Sequence, residues 1–101
     1  MYAVELCFTV DAGSVPPSIE TMEASIRRND RRETTKIEHL RVRKALGMMY
    51  VVVFITAEAA TETRGFAEEV GPTVADELRH VSYSGFRIWT GDEFGTEGMR
   101  S

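Results

Sequence analysis

The sequence predicts a single α+β domain with the element order β-α-β-β-α-β. Three observations predict it. Strand-like patterning recurs four times, near residues 2–10, 36–45, 48–57 and 86–90. Two stretches between them, one opening at Pro16 or Pro17 and one covering about 59–78, carry apolar residues at helical spacing. The length of 101 residues matches one core and leaves no room for two. Residues 1–90 are therefore read as one domain, and 91–101 as a tail.

The first strand is the clearest. Tyr2, Val4, Leu6, Phe8 and Val10 point one way, and Ala3, Glu5, Cys7 and Thr9 the other. Asp11 to Ser14 end it with turn chemistry. The helix that follows suits a proline in its first turn, and Ser14 is its expected N-cap. Val15, Ile19, Met22 and Ile26 form its apolar face. Glu20 and Glu23 sit near its start and Arg27, Arg28, Arg31 and Arg32 towards its end, as the helix dipole favours.

In the second strand Leu40 and Val42 share one face, while His39, Arg41 and Arg43 share the other. Gly47 marks the turn into a third strand, so these two form a hairpin. The second helix bears the stripe Thr63, Phe66, Val70, Val74 and Leu78. Gly71-Pro72 interrupts it, and a kink or two short helices is expected there, because proline lacks the N–H donor. Val81 to Tyr83 either extend the last strand or form a separate bend. The tail holds three glycines and four charged residues, with Phe94 the one residue expected to dock.

This order is the ferredoxin-like, split βαβ arrangement: a sandwich of one four-stranded antiparallel sheet with two helices on one face. It places the first and third strands in the centre. The charged second strand suits an edge, where charge discourages strand addition. The third strand does not alternate. Both Tyr50-Val52-Phe54 and Val51-Val53-Ile55 are apolar, so the face away from the helices also needs cover. A second copy of the chain is the simplest cover, with one of the two parities forming the dimer face. Such a pair resembles the dimeric α+β barrel proteins, in which two ferredoxin-like chains of about this length enclose a cavity. The resemblance rests on element order and length.

Composition bounds the setting. Hydrophobic residues make 43% and charged residues 28% of the chain, which excludes disorder as the default. The longest apolar run has eight residues, from Met48 to Ile55, against the roughly 20 of a membrane helix. No basic stretch leads an apolar segment at the start, so no signal peptide and no membrane partner are expected. Cys7 is the only cysteine, which fits a reducing compartment, and the cytoplasm is the expected location. Ten arginines against two lysines point to a GC-rich bacterial source.

No motif fixes a chemistry. His39 on the second strand, with Tyr50 and Trp89, could line a cavity as an acid/base group and its neighbours. The plainer reading is an edge-strand histidine and interface aromatics. His80 is expected to complement the dipole of the second helix, and Cys7 to act as small filler without an activating neighbour. Phosphate loops, nucleophile elbows and metal-ligand spacing are missing, so no cofactor and no metal are expected.

Charge is skewed. Residues 27–44 hold eight of the twelve basic residues and three of the sixteen acidic ones, giving that segment +5 in a chain of −4. Arg41 and Arg43 are its candidates for an anionic partner, nucleic acid or an acidic protein. Tyr50 and Phe54 share a face, as in the RNA-recognition version of this fold, but the glycine and basic residues of that third-strand motif are missing. Nucleic acid is therefore the minority reading. The leading reading is a homodimeric binding or accessory module that pairs through the open sheet face. The alternative is a cofactor-independent enzyme of the dimeric α+β barrel type, a small oxygenase or cyclase, taking a small-molecule ligand in a cavity between sheet and helices or between sheets.

Overall fold

The computed structural model describes residues 1–89; the expected tail and Phe94 lie outside the described residues. The elements run β1 (Tyr2–Val10), α1 (Ile19–Arg28), β2 (Thr35–Ala45), β3 (Met48–Ala57), α2 (Ala60–Leu78) and β4 (Val81–Trp89). The four strands form one antiparallel sheet in the order β2-β3-β1-β4. The fold is thus the ferredoxin-like α+β arrangement. β1 and β3 are central, and the charged β2 is an edge.

The helices cover one face. Val4, Leu6 and Phe8 of β1 pair with Val53, Val51 and Met49 of β3, and all six are fully buried. Met22 and Ile26 of α1 and Phe66, Val70 and Val74 of α2 close over them in one continuous cluster. Burial of this apolar surface, at about 25 cal/mol per Å², is the main favourable term for the fold.

α1 starts later than the sequence predicts. Each of Val15 and Pro16 precedes a proline, whose ring disfavours helical geometry in the residue before it. Ser18 is the N-cap in place of Ser14: its hydroxyl accepts from the Thr21 N–H at 3.0 Å. Val15 consequently leaves the predicted apolar face and is 85% exposed. The helix ends at Arg28, so Arg31 and Arg32 lie in the loop beyond it.

α2 is one helix through Pro72, where a kink or two pieces were expected. Its buried residues flank the proline on both sides, from Thr63 to Val74, so packing holds the halves in line. Pro72 itself is exposed, and so is Glu68, the residue whose carbonyl loses its helical donor there. Gly71 is buried beneath the Tyr83 ring, and a Cβ there would collide with that ring. β4 runs unbroken from Val81, with an irregularity in its pairing to β1 opposite Cys7 and Phe8. A similar shift in β2 near Glu38 keeps both Ile37 and Leu40 on the core side.

Basic residues of 27–44 do not form one patch. Arg28 pairs with Glu77, which also accepts from Ser25 at 2.9 Å and Asn29 at 3.2 Å. Arg32 bridges Glu62 and Glu69, each at 3.1 Å, and Thr34 also donates to Glu62. These contacts fasten the end of α1 and the loop after it onto α2. Among the described residues no helix is long and apolar enough to cross a membrane.

Candidate functional site

The face of the sheet opposite the helices gathers the remaining chemistry-bearing side chains. Strand register arranges them in rows across the sheet, in the order β2, β3, β1, β4. The middle row is Arg41, Val52, Glu5, Arg87. To one side lies Arg43, Tyr50, Cys7, Gly85, and to the other His39, Phe54, Ala3, Trp89. The side chains of β3 are large and apolar along this face, while Ala3 and Cys7 of β1 are small.

The structure separates the two parities of the third strand. Tyr50, Val52 and Phe54 lie half-buried on the open face. Val51, Val53 and Ile55 are fully buried under the helices, which leaves Tyr50, Val52 and Phe54 as the one parity that can form the expected dimer face. The register of the buried three with Val4, Leu6 and Tyr2 puts them on the apolar side of β1.

Aromatic rings and arginines interleave on this surface. The Arg43 guanidinium stands 4.6 Å from the centre of the Tyr50 ring, and Arg87 stands 5.3 Å from that of Trp89. The His39 and Phe54 rings are 6.0 Å apart. At the end of the face Thr9 shares a 2.6 Å hydrogen bond with Ser84. Sequence reasoning passed over Glu5 and Arg87. The alternation of β1 assigned Glu5 to this face, but its central position follows only from the strand order. Among the described residues no ion pair involves Glu5.

Burial raises the pKa of the Cys7 thiol, and Glu5 adds to the effect against a smaller opposing pull from Arg87. That is the opposite of an activated thiolate. His39 and Trp89 occupy the two edges of one row, three strand spacings or about 14 Å apart. With Tyr50 in a neighbouring row, the three residues do not converge on one reacting atom. Phe8, Leu6, Met22, Phe66 and their neighbours fill the space between sheet and helices.

A pocket of about 390 Å³ opens instead at the end of the sheet, between the β1–α1 loop and the β2–β3 turn. Val10, Asp11, Ser14, Lys44, Leu46 and Met48 are among its lining residues, and none of His39, Tyr50 and Trp89 is. Close to it, Ser14 Oγ is 3.5 Å from His80 Nδ1. His80 lies two residues past the helix end in a left-handed conformation, φ 60, next to Arg79 at φ 59. Among the described residues no group of three or more His, Cys, Asp or Glu could hold a metal ion.

No protein-family model matches the chain, and no curated protein matches it. Among solved structures, a de novo designed protein, Foldit4, is similar, with 18% identity and a TM-score of 0.48. The match covers 88% of this chain and 96% of that one.

Proposed function

We propose that the chain is a small binding or accessory module that works as a homodimer, and that its two copies meet through the open face of the sheet. The observation that carries this reading is the stripe Tyr50, Val52 and Phe54 on a face to which the helices contribute nothing. Trp89 and Cys7 extend the stripe across the neighbouring strands. Aromatic residues with arginine at the edge are the composition enriched in protein interfaces. Among the described residues, the separation of His39, Tyr50 and Trp89 favours binding over catalysis. The single cysteine and the arginine bias support a bacterial cytoplasm as its setting.

Sedimentation equilibrium tests it. The wild type is expected to be dimeric at micromolar concentration, and Val52→Glu monomeric with an unchanged far-UV circular dichroism spectrum. A wild-type chain that stays monomeric up to roughly 100 micromolar overturns the reading, because a pair with a Kd of about 1 micromolar would be largely dimeric there.

A second reading draws on Arg41, Arg43 and Arg87, which share that face with Tyr50, Phe54 and Trp89. Stacking rings among cations suit single-stranded nucleic acid. The central Glu5 and the acidic chain oppose it. Salt-sensitive binding of an oligonucleotide, lost in Arg41→Glu/Arg43→Glu, would support this reading over the first.

A further inference from the structure

We propose that the second copy packs with its two-fold axis running along β3, so that Glu5 of each chain meets Arg41 of the other. The inference rests on the homodimer reading above and adds to it a geometry and a pair of partner residues. It starts from Glu5, a carboxylate that lies half-buried near the middle of the open face and makes no ion pair among the described residues. Its cross-strand neighbour Arg87 is stacked by the Trp89 ring. A covering partner would desolvate that carboxylate, and a buried charge must be paired.

The strand order limits which placements supply a cation. An axis lying across the strands sets β1 over β1 and β2 over β2, which brings Glu5 towards its own copy or leaves it facing Cys7 or Ala3. An axis along β1 sets Glu5 directly on Glu5. An axis between β1 and β3 sets Glu5 on Val52 and Arg41 on Arg87, and an axis between β1 and β4 sets Glu5 on Arg87 but leaves Tyr50, Val52 and Phe54 outside the overlap. With the axis along β3, the middle row Arg41, Val52, Glu5 lies over Glu5, Val52, Arg41 of the second copy. Two isologous ion pairs then flank a Val52–Val52 contact. Sheets packed face to face stand about 10 Å apart at a shallow angle, a gap that an arginine and a glutamate reach across together.

Side-chain size points to the same placement independently. On this face β1 carries two small side chains, the fully buried Ala3 and the half-buried Cys7, and β2 carries His39 and Arg43 in the corresponding rows. The axis along β3 sets each large β2 side chain over a small β1 one, the interdigitation that close packing requires. Tyr50 and Phe54 then continue the central stripe on either side of Val52.

Charge reversal tests this placement. Glu5→Arg leaves arginine facing arginine across the axis, and Arg41→Glu leaves glutamate facing glutamate. Each variant alone is expected to dimerise at least about tenfold more weakly than the wild type, as buried charge pairs at interfaces do when one partner is reversed. An equimolar mixture of the two is expected to form a heterodimer, since every facing pair is then opposite in sign. The double variant in one chain should likewise recover self-association. Size-exclusion chromatography with one variant fluorescently labelled reads all four samples, and recovery in the mixture shows that each variant folds.

If the wild type is a dimer but both reversed variants dimerise equally well, or the mixture stays monomeric, the placement is wrong while the homodimer stands. A wild type that is monomeric in the same run removes both.

Discussion

The Tyr83 ring packs 5.5 Å from Phe8 and over Gly71, and its hydroxyl is buried with no hydrogen-bond partner among the described residues. Burial is the main cause that pushes its pKa up to about 12, with smaller contributions from Cys7 and Glu68. The unfolded chain ionises this tyrosine near its ordinary value of about 10. Between about pH 10 and pH 12 the unfolded state therefore binds fewer protons than the native one, and stability falls as pH rises through that window. Urea unfolding of the wild type and Tyr83→Phe across pH 8 to 12 isolates the effect. The wild type should lose stability more steeply, and the variant should equal or exceed it by up to about 1 kcal/mol at pH 8, because it removes an unpaired hydroxyl. Parallel pH profiles for the two proteins would contradict this assignment.

At the scale of elements, the ion pairs of Arg32 decide how the α1–β2 loop sits on α2. Its guanidinium crosses α2 at Gly65, between Glu62 and Glu69 one turn to either side, and a Cβ on Gly65 would come within 2.7 Å of Nη2. Glycine in a helix interior costs about 1 kcal/mol relative to alanine. Partly exposed ion pairs contribute up to about 1 kcal/mol each. The two effects offset one another in Gly65→Ala, whose net change is expected to be near zero. In an Arg32→Ala background the three atoms nearest that Cβ are gone, and the same substitution should stabilise by about 1 kcal/mol. A double-mutant cycle in urea measures the difference, and equal effects in both backgrounds would mean that the crossing is not felt. The pairs also account for the fate of the basic segment: Arg28 and Arg32 serve the packing of α2, while Arg41 and Arg43 are carried onto the sheet face by β2.

For the whole molecule, a partner bound only by the native state links association to stability. A homodimer melts at a temperature that rises with protein concentration. The wild type should show that rise over a hundredfold concentration range in differential scanning fluorimetry, and Val52→Glu should not. A wild-type melting temperature independent of concentration would count against sheet-face pairing. The sheet order also bears on the acid/base reading, since it holds His39 and Trp89 at opposite edges.

The fold was legible because its elements were locally consistent. The alternation of β1, the position of Gly47 and the length of the apolar run determined three strands to within a residue, and the element order then restricted the topology. Local rules also explain where the reading slipped. Ser14 and Ser18 are equally good caps by residue type, and only the geometry imposed by Pro16 and Pro17 selects Ser18. Pro72 breaks an isolated helix, yet burial on both sides carries α2 through it. The candidate surface was legible only in part. Two apolar parities on β3 look alike in sequence, and pairing with Val4, Leu6 and Phe8 decides which one faces the helices. Glu5 acquires its central place, and Arg41 its place in the same row, from pairings between strands far apart in sequence. Sequence alone determined the α+β element order and a third strand apolar on both faces, because periodicity is local. Tertiary structure decided which residues make that face, because register is not.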